Sequence, residues 1–270
     1  MVSGATKPRT RVRFGRIWID SLTFAGALDE IEQLIDRGDG GYVFTPNVDH
    51  VVLAEKLSAF REAYAGVSLS LVDGQPLVWT SRLVGSQLPA KISGSDLLWP
   101  LFERAAARAY RVYLLGGQPG AAAVVAERVT RELGVTIVGH EAPRISAEPS
   151  PENDAIVARI RAARPHILLV ALGAPKGELW IHRASPQLGP TVAFSIGAGI
   201  DFLAGFIPRA PGWTSRMGLE WLFRLGQEPR RLARRYLIED PKFFGILYRT
   251  CRDPLDERVK ITEPSAKAPA

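Results

Sequence analysis

The stretch Ile167-Leu168-Leu169-Val170-Ala171-Leu172-Gly173-Ala174-Pro175-Lys176 decides the fold. Its uncharged aliphatic run suits a strand covered on both faces, the condition inside a parallel sheet flanked by helices. The run stops at a glycine followed by a proline, so the chain leaves the strand there for a loop. Working outward, similar runs lie at Tyr42–Thr45, Val67–Val72, Val112–Leu115, Val135–Val138 and Val192–Ile196. Between them fall stretches of helical period. Asn47–Ala65 opens on a capping Asn and places Val48, Val51, Val52, Ala54 and Leu57 around an apolar face, and Ser95–Ala109, Gly120–Leu133 and Glu152–Ala163 read in the same way. A strand followed each time by a helix, under the right-handed crossover rule, predicts an α/β fold with a doubly wound, mostly parallel sheet.

The chain has 270 residues, 46% hydrophobic and 23% charged, enough to bury one large core. Its single cysteine, Cys251, forms no internal disulfide, which fits a reducing cytoplasm. The N-terminus is basic but carries no apolar stretch behind it, and no run approaches a bilayer span, so neither a cleaved signal nor a membrane-spanning segment is expected. Net charge is +6, and it sits late: between Arg209 and Arg252 ten Lys/Arg face four Glu/Asp. Such a cluster suits phosphate groups of lipids, nucleotides or nucleic acid. Four segments are predicted: a flexible N-terminus (1–12), an α/β domain (13–208), a basic amphipathic helical appendage (209–252) and a disordered tail (253–270).

Ligands of open α/β sheets bind beyond the carboxyl ends of the strands. There the sequence places Thr45-Pro46-Asn47, Asp73-Gly74, Gly116-Gly117, Gly173 to Lys176, and Gly197 to Asp201. Asp73 closes an apolar strand, where a partly desolvated carboxylate would be tuned as a general base; it fits equally the cap of a helix starting near Gln75. Gly116-Gly117-Gln118-Pro119-Gly120 could cradle a phosphate but matches neither the dinucleotide nor the P-loop pattern, and a tight turn is the simpler account. His50, His140, His166 and His182 show no metal-ligand spacing and no Asp-x-Asp pair occurs, so no bound metal and no cofactor are expected.

The motifs Thr45-Pro46-Asn47, Val72-Asp73-Gly74, Ser93-Gly94-Ser95-Asp96, Tyr113 to Gly117, Ala171 to Trp180, Gly197 to Gly205, Arg209-Ala210-Pro211, Gly218 to Leu225 and Glu228-Pro229-Arg230-Arg231 succeed one another over about Gly15 to Arg249. In that order they resemble the WecG/TagA/CpsF family of bacterial glycosyltransferases, which build surface polymers and wall teichoic acid. The resemblance implies a Rossmann-like fold and inverting transfer of an N-acetylmannosamine-type hexose, or of a uronic acid or glucose, from a UDP-sugar to an undecaprenyl-diphosphate-linked acceptor. It implies Asp73 as catalytic base with Thr45 and Asn47 beside it, and Asp201 as the reader of the uracil. Arg224, Arg231 and Arg234 become the appendage arginines that reach the site or the lipid phosphates, and Gly116, Gly173 and Lys176 join the substrate-binding set. Two positions depart from the family pattern: Gly177 stands where relatives often have Gln, and Lys91 stands for an Arg, keeping the charge but losing the bidentate fork.

With no metal motif, Lys91, Arg224 and Arg231 are the candidates for stabilising the leaving diphosphate. Taking Pro229 as the first position of a helix, Arg230, Arg231, Arg234 and Arg235 share one arc and Leu232, Ala233, Tyr236 and Leu237 the other. With Trp213, Trp221, Phe243, Phe244 and Tyr248, the appendage is expected to dock on an anionic membrane, peripherally on the inner face of the bacterial plasma membrane. The chain ending at Pro208 is expected to stay folded. A competing reading is a basic α/β nucleic-acid-binding protein without catalysis, which the mixture of aromatic residues with the charge disfavours; no nucleic-acid partner is expected. An oxidoreductase is disfavoured because no strand leads into Gly-x-Gly-x-x-Gly. Monomer and homo-oligomer remain equally compatible with the sequence.

Overall fold

The computed structural model describes residues 8–146, 148–210, 214, 220–227 and 229–262, with the backbone alone for Glu220 and Arg231. In chain order it contains β1 (Arg9–Phe14), β2 (Ile17–Asp20), α1 (Phe24–Arg37), β3 (Gly41–Phe44), α2 (Val48–Lys56), α3 (Ser58–Ala65), β4 (Leu69–Ser70), α4 (Gln75–Thr80) and α5 (Gly94–Ala107). Next come β5 (Arg111–Gly116), α6 (Ala121–Leu133), β6 (Thr136–Glu141), α7 (Pro151–Ala163), β7 (Ile167–Ala171), α8 (Lys176–Ala184), β8 (Val192–Ser195) and α9 (Gly199–Leu203). The C-terminal part holds α10 (Glu220–Gln227), α11 (Pro229–Arg234), a π-helical turn Arg235–Glu239, α12 (Lys242–Arg252), α13 (Leu255–Arg258) and β9 (Val259–Thr262).

Six strands form the main sheet in the order β4-β3-β8-β7-β5-β6, every pairing parallel. The uncharged run that predicts a doubly covered strand lies inside it: Ile167, Leu168, Leu169 and Val170 are fully buried. Successive strand side chains point to opposite faces. Leu168 and Val170 accordingly pack with Phe44, Phe60 and Trp180, while Ile167 and Leu169 pack with Val43, Phe102 and Phe194. Two cores thus sandwich one sheet, the doubly wound α/β architecture the sequence predicts.

One predicted helix, Asn47–Ala65, divides into α2 and α3. Leu57 between them is extended (φ −113°, ψ 111°), and Arg61 Nη1 donates to the Ala54 carbonyl at 3.0 Å. That guanidinium serves a carbonyl that the end of α2 leaves unpaired, so the break is stabilised by a side chain seven residues on.

The expectation of loosely ordered ends needs correction for residues 9–12 and 255–262. Strand β1 pairs antiparallel with both β2 and β9, giving a second sheet in the order β2-β1-β9. Val12 and Phe14 are fully buried, while Arg9 and Arg11 lie 3.8 and 3.3 Å from the buried carboxylate of Asp20. Asp20 in turn accepts from Ser70 N–H at 2.8 Å, which ties the small sheet to the large one. The remainder of both ends, 1–7 and 263–270, lies outside the described residues.

A second correction concerns the appendage. Phe243, Ile246, Leu247 and Thr250 on one side of α12 are buried, and Phe243 packs on Phe14 with ring centroids 6.3 Å apart. Burying three such apolar side chains contributes roughly 5–9 kcal/mol as an upper estimate, comparable to a whole domain's net stability of about 5–15 kcal/mol. Helix α12 therefore belongs to the core, and a chain ending at Pro208 is not expected to hold this fold. Among the described residues no helix is long and apolar enough to cross a membrane.

Candidate active site

The carboxyl ends of β3, β5, β7 and β8 open on one crevice of about 460 Å³. The loop beyond each strand supplies part of its lining: Thr45 and Asn47 after β3, Gly117 and Gln118 after β5, Leu172 to Ala174 after β7, and Ile196 to Ala198 with Asp201 after β8. Asp73, just beyond β4, is placed by its N–H donating to the Pro46 carbonyl at 2.8 Å. Arg224, Gln227, Leu232, Arg235 and Tyr236 of the C-terminal helices complete the wall. A second chamber of about 350 Å³ adjoins it, lined by Val48, Pro76, Trp221, Pro241, Phe243 and Phe244 together with Lys91, Asp49 and Asp240. Asn47, Asp73, Arg224, Arg235 and Tyr236 line both. A polar chamber and a largely apolar one therefore share a wall that holds one carboxylate, Asp73, and two arginines among the described residues.

The geometry bears on the cap reading of Asp73. Gly74 (φ 137°) occupies the capping position of α4, so Asp73 stands one residue before that position. Asn47 caps α2, its Oδ1 accepting from His50 N–H at 3.3 Å. Thr45 is 9% exposed and lines the polar chamber; a Cβ on Gly94 would meet its Oγ1 at 3.2 Å, so α5 starts hard against it. Asp201 Oδ1 accepts from Gln118 N–H at 2.7 Å, which fixes the loop after β5 against α9. Lys91 lies in the apolar chamber, 3.8 Å from Asp96, and Arg224 stacks over the Phe202 ring at 5.2 Å.

Three predicted residues lie off the chambers. Gly116 has φ 94°, and a Cβ there would come within 2.5 Å of the Ala171 carbonyl oxygen, so it shapes the turn while Gly117 faces the crevice. Lys176 opens α8 without lining either chamber. Arg234 leaves 82% of its side chain in solvent, 3.9 Å from Glu239; its neighbour Arg235 instead lines both chambers. The side chain of Arg231, the remaining predicted arginine, lies outside the described residues, as does Trp213.

Several residues at the site carry no prediction from the sequence. Glu178 is 2% exposed and lines the polar chamber. Its Oε1 accepts from Ser195 Oγ at 2.7 Å, while Oε2 is buried with no hydrogen-bond partner among the described residues. Burial holds this carboxyl above the ordinary range, partly offset by the Ser195 bond. His50 is buried with Nδ1 2.6 Å from the Tyr64 hydroxyl; burial, aided by Arg235, lowers its pKa to about 3, so it is a neutral imidazole. Asp49 and Asp240 flank Arg235, and burial raises both, Asp240 to about 6. Only the motif around Glu178 pointed here; burial of the other three is a tertiary fact. Among the described residues no group of three or more His, Cys, Asp or Glu has the arrangement of a metal site.

A parallel α/β sheet with a polar crevice at its carboxyl edge, opening on an apolar chamber across a wall that holds the Asp73 carboxylate, has the form of an enzyme joining a polar substrate to an amphiphilic one. Residues 12–256 match the Glycosyl transferase WecG/TagA/CpsF family. The chain belongs to this family and is a glycosyltransferase, which sets aside the non-catalytic nucleic-acid-binding alternative. It is similar to the N-acetylglucosaminyldiphosphoundecaprenol N-acetyl-beta-D-mannosaminyltransferase of Bacillus spizizenii, 29% identical over 210 residues that make up 77% of this chain and 79% of the relative.

Proposed function

We propose that this glycosyltransferase moves an N-acetylmannosamine-type hexose from a UDP-sugar to a sugar carried on undecaprenyl diphosphate, with inversion and with Asp73 as base. One observation carries the reading: Asp73 stands on the wall shared by a polar chamber fit for a sugar nucleotide and an apolar one fit for the start of a polyprenyl chain. The name of the Bacillus relative supplies the same acceptor chemistry for that protein. The acceptor hydroxyl would approach from the apolar side and give its proton to Asp73. Its oxygen then bonds to the anomeric carbon as the bond to the UDP oxygen breaks on the opposite face.

Charge gathering on the leaving diphosphate calls for fixed cations. Arg224, in the shared wall, and Lys91 beside it have the position for this; no metal is required by the scheme. Asp201, with one oxygen engaged by Gln118, would accept from the uracil N–H with the other. Thr45 and Asn47, flanking Asp73, would orient the donor phosphates and sugar.

The outer face of α12 suits an anionic lipid surface. Phe244 and Tyr248 are 68% and 64% exposed one turn apart, with Lys242, Arg249 and Arg252 on the same exposed side. Leu237, Ile238, Trp79 and Leu83 extend the exposed apolar set, and the Cys251 thiol against the Leu83 carbonyl joins the two segments. Apolar anchors mixed with cations favour an interfacial position, and each cation adds about 1 kcal/mol near an anionic surface. The deciding experiment offers a panel of UDP-sugars and a short-chain N-acetylglucosamine-diphospho-lipid, with EDTA present, and looks for a new product by mass. Transfer from a UDP-sugar is expected; transfer from none, or a strict need for a divalent ion, contradicts the reading.

A further inference from the structure

The segment from Arg230 to Arg235 offers four arginines in six residues, and geometry separates Arg234 from Arg235, the side chain of Arg231 lying outside the described residues. Leu232 is 3% exposed and marks the inward side of α11. At about 100° per residue, Arg234 stands roughly 200° from Leu232 and Arg235 only roughly 60°. Arg235 accordingly leaves 29% of its side chain exposed and lines both chambers. Its Nη2 donates to Asn47 Oδ1 at 3.4 Å, and its Nε lies 3.4 Å from Asp49 Oδ2.

A second ion pair, Lys56 with Glu239, runs alongside with its polarity reversed. Arg235 and Glu239 stand at the two ends of the π-helical turn, and Asp49 and Lys56 two helical turns apart on α2. The turn is thus fastened to α2 at both ends, and Asn47, the cap of α2, shares the wall of both chambers with Asp73. Asp49 is 9% exposed. A carboxylate so placed is costly unless a cation offsets it, and Arg235 is the nearest cation in its ion pairing. Arg235 is held loosely: its contacts are long, and Nε is buried with no hydrogen-bond partner among the described residues. A guanidinium has five donors, so capacity remains for phosphate oxygens.

We propose that Arg235, together with Arg224, is a further cation of the C-terminal helices that meets the leaving diphosphate, and that Asp49 is the residue that positions it. Seating the turn 235–239 on α2 and completing the active site are then one event. The inference rests on the glycosyl-transfer reading above and adds to it a residue pair, on α2 and at the end of α11, that the family motifs do not single out.

The test uses the full chain with Arg235→Ala, Arg235→Lys, Asp49→Asn and the double variant Asp49→Asn/Arg235→Ala, each checked for folding by circular dichroism. Transfer to the short-chain acceptor and UDP binding by calorimetry are measured. Arg235→Ala should lower kcat by roughly 10²–10³-fold, the scale for removing one transition-state charge partner, while KM for the acceptor moves only a few-fold; Arg235→Lys should restore part of the loss. Asp49→Asn should cost about tenfold in kcat, and the double variant should be no worse than Arg235→Ala, because Asp49 acts through Arg235. Near-full activity of Arg235→Ala, or losses that multiply in the double variant, overturns the proposal. If Asp49→Asn does not fold, the two Arg235 variants decide. If the unaltered chain transfers from no UDP-sugar, the functional reading fails by itself and Arg235 is judged on UDP alone. Affinity about tenfold weaker in Arg235→Ala then supports the assignment, and equal affinity or no UDP binding overturns it.

Discussion

Phe243 and Phe244 are chemically identical neighbours, their rings 5.9 Å apart, that the fold buries to very different depths, and replacing each by alanine separates the core from the proposed lipid contact. Phe243 is 2% exposed and stacks on Phe14. Removing it forfeits the transfer free energy of a buried ring and leaves a cavity between α12 and β1, at a cost of about 3–5 kcal/mol. With a urea dependence of up to about 3 kcal/mol per molar for a chain of this size, the unfolding midpoint should fall by roughly 1–2 M. Phe244 is 68% exposed, and its removal should change stability by no more than about 0.5 kcal/mol. Its exposed ring, roughly two thirds of about 200 Å², could contribute up to about 3 kcal/mol on entering lipid. Phe244→Ala should therefore bind anionic vesicles about ten- to a hundredfold more weakly at an unchanged urea midpoint. Urea titrations followed by fluorescence and vesicle co-sedimentation measure the two effects. Equal midpoints for the two variants would refute the assignment of α12 to the core, and unchanged vesicle binding by Phe244→Ala would refute its outer face as the lipid contact.

Two further predictions concern buried carboxyls at the crevice. Asp201→Asn keeps an acceptor for Gln118 N–H but turns the other oxygen into a donor, so UDP affinity should fall by about 1.5–3 kcal/mol, the scale of a hydrogen bond to a charged group; unchanged affinity by calorimetry removes Asp201 from the uracil site. Glu178 has its pKa raised by burial above the ordinary 4.5, so the folded state binds a proton more tightly than the unfolded chain. Its contribution to stability is present below about 4.5 and is lost as pH rises toward the raised value. Glu178→Gln, which stays neutral, should lessen that decline, and the variant should gain on the parent with rising pH in denaturant titrations; a difference independent of pH would show that Glu178 is ionised in the fold.

The inner strands of the main sheet were legible because doubly covered strands leave uninterrupted apolar runs, as at Ile167–Ala171; the edge strand β6, exposed or half-buried throughout, showed only its short start Val135–Val138. Strand β1 was harder to see. Arg9, Arg11 and Arg13 make the segment look like a solvated tail, although Val12 and Phe14 alternate with them in the period of a half-buried strand. Its reason to be ordered, the buried Asp20 that pairs with Arg9 and Arg11, lies across a turn. The break at Leu57 was invisible because it depends on where Arg61 folds back. At the site, the motifs led to Asp73, Asn47, Thr45 and Asp201, all of which line the crevice. They could not choose among the arginines, since that choice depends on which side of α11 Leu232 buries. Nor could they show that Glu178 and Asp49 are buried, which only the packing of α8 on α3 and the sheet, and of α2 against the C-terminal helices, decides.

The proposed mechanism turns on Asp73 taking the acceptor's proton at the junction of the two chambers. Asp73→Asn is nearly isosteric and removes basicity, so single-turnover transfer from the UDP-sugar to the short-chain acceptor, measured beside UDP binding on the same sample, tests this most directly. The expected result is a rate lower by roughly 10²–10⁴-fold with UDP affinity changed by no more than a few-fold. A variant that keeps more than about a tenth of the rate would contradict it and place the base elsewhere.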